Sequence, residues 1–565
     1  MIDNFLSMVL QRKFEAIIRD MVTALFKSGR SGVLNTAMDF SCAVTDAKFQ
    51  TVSVALCLPL HVGSIELIPK AVAAKHGKTL KPGDCFANND GYLGNTHCGD
   101  FTLCVPVFHA GRLRFYAIAR AHFADMGFPI PTTYHQGAKD AYEEGMTFPC
   151  VRIQKDYEDV EDVIDLCKAN IRVPEQFYGD YLACLGAVRT GERRLSELCD
   201  EYGPEVVEEF CDQFQDYADR ITKEAISKLP KGKVTRTAYY DSSLPEYPNG
   251  IPITATLEVD PDEGTITFDV TDNVDNIPMG INLTESTTLA SFRMGALNVL
   301  GPDVPRCTGS FKRINVVMRE GAIVGKPKFP AATSAATSNI CHMTGGLAHS
   351  LFAELSEKHG AAFASIGQPG SCPVVSGVDP RKEHKPFVNQ MLIGYFGGPA
   401  TAGSDGWLTY HSYSSQGMGW QPSIEISEQQ QPVLVEKLAI RPDSGGAGKY
   451  QGGPGSLVTF LAHKTPLRMV ITGGAHDNPP PGAGGGKAGA PSRIWKEDAA
   501  GNRTDLGIVV DVSLNVGERL VSEACGGGGF GNPAERDKDR VLHQLREGWI
   551  SPQYAREHYG VELTA

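Results

Sequence analysis

The sequence predicts a mixed α+β protein with several cores: an N-terminal α/β half, then a Gly-rich, β-rich C-terminal half. Three observations predict it. The chain has 565 residues, enough for two to four hydrophobic cores at ordinary domain size. Apolar residues recur at helical spacing early in the chain and alternate with period two in its middle. Glycine and proline crowd the stretch from about Gly367 to Asn532, between short β-like runs.

Each element follows from its local pattern. Between Gln11 and Lys27, the residues Phe14, Ile17, Ile18, Met21, Val22 and Leu25 share one face and predict an amphipathic helix. From Ala43 to about Ala121, short apolar runs alternate with turns such as Lys81-Pro-Gly-Asp84, which predicts strands mixed with short helices. Tyr157 to Leu229 is rich in Glu, Asp, Leu and Ala and predicts two or three helices. Ile253-Thr-Ala-Thr-Leu-Glu-Val alternates, turns at Asp260–Gly264 and resumes at Thr265, a hairpin pattern. Arg468-Met-Val-Ile-Thr is one of several short β-like runs in the Gly/Pro-rich stretch, and Val541, Leu542, Leu545 and Tyr554 predict a helical tail. These changes divide the chain into regions 1–230, 231–365, 366–532 and 533–565.

Composition excludes whole classes of function. A net charge of −13 lacks the basic footprint of sequence-independent nucleic-acid binding. No apolar run approaches the roughly 18 to 20 residues that cross a bilayer, and Arg12, Lys13 and Arg19 interrupt the N-terminal apolar stretch before a signal peptide is complete. The 14 cysteines show no CxxC pair, so reduced thiols and a cytoplasmic setting are expected.

Chemistry concentrates in Asn88-Asn-Asp-Gly-Tyr-Leu-Gly-Asn-Thr-His97-Cys-Gly-Asp100 and in Arg120-Ala-His122-Phe-Ala-Asp125. Two imidazoles and a carboxylate can hold one face of a divalent ion and leave other positions open. His97 and Asp100 can converge from one loop, with His122 arriving from the end of the next strand. Asp125 is a further ligand or the acceptor that fixes an imidazole tautomer. On spacing alone, hydrogen-bonded loop residues remain an equal reading. Gly482-Ala-Gly-Gly-Gly-Lys487 misses the phosphate-loop pattern and reads as a flexible turn. Gly526–Gly531 reads as backbone brought close to a ligand or to another chain, or as a tight surface loop closing a β-region. Cys42 and Cys98 lie near the site in sequence, as nucleophiles or as buried thiols.

The same residues resemble the hydantoinase B/oxoprolinase/ketone carboxylase family almost from end to end. The resemblance runs through Asp39-Phe-Ser-Cys-Ala-Val, His61-Val-Gly-Ser64, Pro82-Gly-Asp84, Thr96-His97-x-x-Asp100 and Ala121-His122-x-x-Asp125-x-Gly127. It continues through Glu144-Gly145, Arg172-Val-Pro174, Asp443-Ser-Gly-Gly-Ala-Gly448 and Gly526–Pro533. Where many relatives have Asn-Asp-Pro, this chain has Asn89-Asp90-Gly91, which is expected to loosen the turn before the ligand loop.

The resemblance implies a division of labour in a hetero-oligomer. A hydantoinase A-type partner with an actin-like ATPase fold would handle ATP-Mg and phosphorylate a substrate oxygen. This chain, which has no nucleotide motif, would carry one divalent metal (Mn, Zn or Fe). Carried over by motif, its ligands are His97, Asp100 and His122, with Asp39 as a fourth. Hydrolysis of a cyclic amide is the first expectation, with His122 and Asp125 as catalytic residues, Asp125 the base or orienter, and Gly-rich backbone donating to the phosphate. ATP-dependent carboxylation of a ketone is the alternative, and a non-catalytic scaffold role the third.

Overall fold

The computed structural model describes residues 2–55, 57–364, 366–411 and 419–562. Its N-terminal half is built on one seven-stranded sheet: β1 (Phe40–Asp46), β2 (Thr51–Val54), β3 (Cys85–Asn88), β4 (Asp100–His109), β5 (Arg112–His122), β6 (Val151–Lys155) and β7 (Glu158–Asp159). The spatial order is β2-β1-β5-β4-β3-β6-β7, and neighbours run antiparallel.

Successive side chains of a strand point to opposite faces, and the two faces bury different partners. Phe40, Cys42, Val44, Leu103, Val105, Phe115 and Ala117 meet the helices Asn4–Ser28 and Pro174–Tyr202 in the main N-terminal core. Ala43, Cys104, Tyr116 and Ile118 pack on the other face against Ile65, Ile68 and Val72. That second face carries the site.

The first helix buries Phe14, Ile17, Ile18, Met21 and Leu25 as expected and begins earlier, at Asn4. Its start is fixed by Asp3, whose carboxylate accepts from the backbone N–H of Leu6 at 2.8 Å. The helical region holds three helices, Glu161–Asn170, Pro174–Tyr202 and Pro204–Ile226. The last two begin with proline, which has no N–H to leave unpaired in a first turn.

The hairpin forms from strands Ile251–Asp260 and Thr265–Asp269, with Thr265 opposite Asp260. Asp260 ties the turn by accepting from the backbone N–H groups of Asp262 and Glu263. Strands Gly232–Tyr240 and Ile314–Val317 complete a four-stranded sheet. Helices Glu285–Leu300 and Ile340–Leu355 share a core with it. Farther on lie a four-stranded and a five-stranded sheet around Val375, Val458, Phe460, Met469 and Leu520. Helices Lys538–Arg546 and Pro552–Tyr559 end the chain.

The Gly526–Gly529 run is not a surface loop, whereas Gly484 and Gly485 do sit in an exposed turn. Gly526 to Gly529 are buried, and a Cβ on Gly526 would lie 1.7 Å from the carbonyl oxygen of Ser444, on Gly527 1.9 Å from that of Gly398. Only residues without Cβ let backbones approach this closely. Gly482–Lys487 belongs to the same layer, since Ala483 N–H donates to the Gly529 carbonyl at 3.0 Å and Gly529 N–H to that of Lys487 at 2.9 Å. Among the described residues no helix is long and apolar enough to cross a membrane.

Candidate metal centre

Strand register assembles the site. Asp100, the first residue of β4, stands directly opposite His122, the last of β5. On the other side of β5, Phe40 pairs with Ala121, and His122 N–H donates to the Asp39 carbonyl at 3.0 Å. By alternation, Asp39, Asp100 and His122 all lie on the second face, at one end of three adjacent strands. His97 reaches the same point from the tight loop before β4. There Asn95 donates its amide to the carbonyls of His97 and Asp100 at 2.7 and 2.8 Å. Gly99 makes the approach feasible, because a Cβ there would lie 2.6 Å from the ring of His97 and 3.0 Å from that of His122.

Three ligand atoms converge. His97 Nε2, His122 Nδ1 and Asp100 Oδ1 are separated by 3.0 to 3.1 Å, and the three side chains form a buried ligand cluster. The outer ring nitrogens decide what these atoms are. His97 Nδ1 lies 2.7 Å from the carbonyl oxygen of Ser334, which can only accept, so Nδ1 carries the proton. His122 Nε2 lies 3.0 Å from Thr133 Oγ1, whose own hydrogen goes to the Phe123 carbonyl at 2.7 Å, so Nε2 donates. Both inner nitrogens therefore present lone pairs to each other and to a carboxylate oxygen. Three acceptors facing one another repel unless a cation lies among them. Ligands at neighbouring positions of one ion with bonds of about 2.1 Å sit about 3 Å apart, so the spacing suits a small divalent ion.

His61, from the short helix Pro59–Val62, closes the arrangement. Its Nε2 lies 3.2 Å from Asp100 Oδ2 and 3.9 Å from Asp39 Oδ1, and Thr96 Oγ1 also donates to Asp100 Oδ2. Behind the cluster, fully buried Arg120 donates to Thr102 Oγ1 at 3.0 Å and to the carbonyls of His61 and Gly94 at 2.8 and 3.2 Å. With no cation among them, protons on the surrounding imidazoles take its place: burial alone would push the Asp100 carboxyl up, yet His97, His61 and His122 hold it well below its usual range. Burial pushes His122 down to about 4 against the opposing pull of Asp100. Burial, and then the charge of Asp100, push Asp39 well up. A cation among these groups would reverse that pressure and keep Asp39 ionised.

A small pocket opens onto the cluster, lined by Asp39, His61, Asp100, His122 and Tyr134 and, among others, by Leu58, Thr337, Gln368, Leu392, Phe396 and His411. Of the residues singled out from sequence, His97, Asp100 and His122 come together and Asp39 faces the same pocket. Asp125 does not. Its carboxylate accepts from Gly127 N–H at 3.0 Å, Arg172 N–H at 2.8 Å and the Arg172 guanidinium at 3.1 Å, which fixes a chain crossing and leaves no base for the pocket. Cys42 and Cys98 pack in the N-terminal core, and burial pushes both thiols well up, away from the thiolate form. The Gly-rich backbone is spent as well, with the N–H groups of Gly526 to Gly529 all bonded to carbonyls of this chain. Gly91 does not loosen its turn. Asp90 caps the turn by accepting from Tyr92 N–H at 2.8 Å, and a Cβ on Gly91 would meet Thr284 at 2.7 Å.

Sequence reasoning gives no role in the site to His61, Thr133, Tyr134 or Ser334. His61 falls within the His61-Val-Gly-Ser64 motif, but nothing in that spacing points to a contact with Asp100. Tyr134 stacks on both imidazoles, with ring centroids 5.4 and 5.0 Å from those of His97 and His122. No local pattern announces it.

The chain matches the family model described as hydantoinase B/oxoprolinase over residues 3–533. It is 28% identical over its full length to the beta subunit of the caprolactamase of Pseudomonas jessenii, covering 96% of that protein. It is 26% identical, again over its full length and 96% of the relative, to the B-type component of a putative D-/L-hydantoinase of Pseudomonas sp. strain NS671. The crystal structure of the ATP-dependent caprolactamase from P. jessenii superposes with a TM-score of 0.90 at 26% identity, covering 100% of this chain and 97% of that one. An acetone carboxylase structure shares the fold, with a TM-score of 0.88 at 17% identity over 99% of this chain and 80% of that one. This chain belongs to the hydantoinase B/oxoprolinase family.

Proposed function

We propose that the chain is the metal-bearing component of a two-component, ATP-dependent amidohydrolase that opens a cyclic amide. In this reading a hydantoinase A-type partner binds ATP-Mg and transfers the γ-phosphoryl group to the amide oxygen. The observation that carries the proposal is the set of three lone pairs converging from His97, Asp100 and His122, with both imidazole tautomers fixed from behind. A divalent cation held there acidifies water at neutral pH and offsets developing negative charge.

The chain's own groups do the rest. Asp39, at the pocket edge beside His61, takes the proton of the attacking water, the role that Asp125 cannot fill. His61 holds the second oxygen of Asp100 and keeps that carboxylate aimed at the ion. Water adds to the activated carbon, the C–N bond breaks with its electron pair going to nitrogen, and nitrogen takes a proton. A second water then cleaves the remaining acyl phosphate to carboxylate and phosphate.

The test is ring opening and ADP release by the chain mixed with its partner, ATP and Mg²⁺. Wild type is expected to couple the two, while His97→Ala and His122→Ala lose both the bound metal and ring opening. Full ring opening by His97→Ala or His122→Ala protein that holds no metal at this site would overturn the scheme and favour a scaffold role. Incorporation of labelled bicarbonate into a ketone, with no ring opened, would favour the carboxylase reading.

A further inference from the structure

A second cavity shares no lining residue with the metal pocket. It lies among the first helix, β2, the helix Pro204–Ile226 and the loop that follows the helix Glu285–Leu300. Its volume is about 190 Å³, space for a small organic molecule. Phe14, Val52, Phe210, Phe214 and Val304 give it apolar walls. Phe210 stacks on Phe14 and on Phe214, with ring centroids 5.5 and 5.7 Å apart. Among the described residues, one cation lines this cavity, Arg306.

Arg306 has no counter-ion there. Among the described residues no hydrogen bond or ion pair reaches its guanidinium, and its Nε is closed off from solvent with no acceptor. Burial pushes Arg306 down from its ordinary value, and no neighbouring charge opposes that push. The one carboxylate of the lining, Glu15, is engaged by Arg12 at 2.6 Å and by Gln11 at 3.3 Å. A partly buried guanidinium with an unmet N–H carries a desolvation cost that no described residue offsets. The backbone beside it is pinned. Thr51 N–H donates to Thr308 Oγ1 at 2.8 Å, and Gly309 N–H to Gln215 Oε1 at 2.6 Å. Charge and shape then select the occupant. A guanidinium presents a planar fork of N–H donors that matches the two oxygens of a carboxylate, while the phenylalanine walls favour hydrocarbon. A neutral molecule leaves the charge unmet, and a hydrophilic anion gains nothing from the walls.

We propose that this cavity binds a small monocarboxylate with an apolar body, its carboxylate on Arg306 and its hydrocarbon against Phe14, Phe210 and Phe214. Isothermal titration of the full chain tests it, with hexanoate and benzoate beside their uncharged counterparts, 1-hexanol and benzyl alcohol. At least one acid is expected to bind one to one, about 10-fold or more tightly than its alcohol. Arg306→Met keeps the apolar stem and is expected to abolish that preference. Arg306→Lys keeps the charge without the fork and is expected to retain part of it. Carboxylates also ligate metals, so the titrations are repeated on His97→Ala protein, which is expected to bind the acid as wild type does. Acid and alcohol bound alike, undiminished acid binding by Arg306→Met, loss of binding in His97→Ala, or no binding of either acid each overturns the proposal. Should Arg306→Met fail to fold, the ratio of acid to alcohol affinity in His97→Ala protein decides alone.

Discussion

His97 Nδ1 and the carbonyl oxygen of Ser334, 237 residues later in the chain, lie 2.7 Å apart. This bond decides which nitrogen of His97 faces the ion. Ser334 is itself held in place by Glu144, whose carboxylate accepts from the backbone N–H groups of Thr333 and Ser334. A ligand from the N-terminal sheet is therefore aimed by a loop that precedes the helix Ile340–Leu355, through a carboxylate that touches neither imidazole.

Glu144→Leu, which removes the oxygen that accepts from both backbone N–H groups, is expected to weaken metal binding by about 10-fold or more while leaving the three ligand side chains in place. Competition with a chromophoric chelator measures it. Unchanged affinity would show that Ser334 needs no help from Glu144.

Much of the ligand set is legible in the sequence because strand register is local. His97, Asp100 and His122 are close in the chain, and small residues and a strand pair are all that must be inferred between them. Asp125 misleads for the same reason. It stands just beyond His122, yet the strand ends at His122 and the chain turns away toward Arg172. Ser334 and Glu144 cannot be read, since their roles depend on packing between distant segments. The glycine runs announce close approach but not its partner, which is other backbone of the same chain.

Thr133→Val tests the second imidazole. It keeps the shape and removes the oxygen that accepts from His122 Nε2, so the ring is free to place its proton on Nδ1, facing the ion. Metal affinity is expected to fall by about 10- to 100-fold, with the midpoint of metal-free unfolding changed far less. A large stability loss with unaltered affinity would count against the tautomer role.

Arg120→Met should be structurally costly. The buried guanidinium supplies donors to Thr102, His61 and Gly94, and methionine leaves the two buried acceptors, on Thr102 and His61, unmet, each costing about 1–3 kcal/mol. A loss of at least about 2 kcal/mol in denaturant unfolding is expected on that basis, together with weaker metal binding as His61 shifts. Wild-type stability in this variant would mean that water replaces the guanidinium.

Gly527→Ala and Gly507→Ala form a matched pair. The first puts a methyl group 1.9 Å from the Gly398 carbonyl, whereas at Gly507 nothing lies within 4 Å and the backbone is not left-handed. Gly527→Ala is expected to lose about 3 kcal/mol or to fail to accumulate as soluble protein, because backbone on both sides cannot yield. Gly507→Ala is expected to be neutral or to gain a few tenths of a kcal/mol through the unfolded chain. Expression and urea midpoints read both.

The last expectation concerns pH. His342 and His349 lie on the helix Ile340–Leu355, and burial pushes each down to about 4 from an ordinary value of 6.5. Between pH 6.5 and 4 the unfolded chain binds protons on these residues that the folded chain does not. Stability is therefore complete above about pH 6.5 and falls as pH drops toward 4, by about 1.4 kcal/mol for each pKa unit of depression. Metal-free protein should show its unfolding midpoint declining from about pH 7 to about pH 5. His342→Gln, which can still donate toward the Gly367 carbonyl that the ring nitrogen contacts at 3.2 Å, is expected to flatten the decline. An equally steep decline in that variant would assign the acid sensitivity to other groups, His122 and His349 first among them.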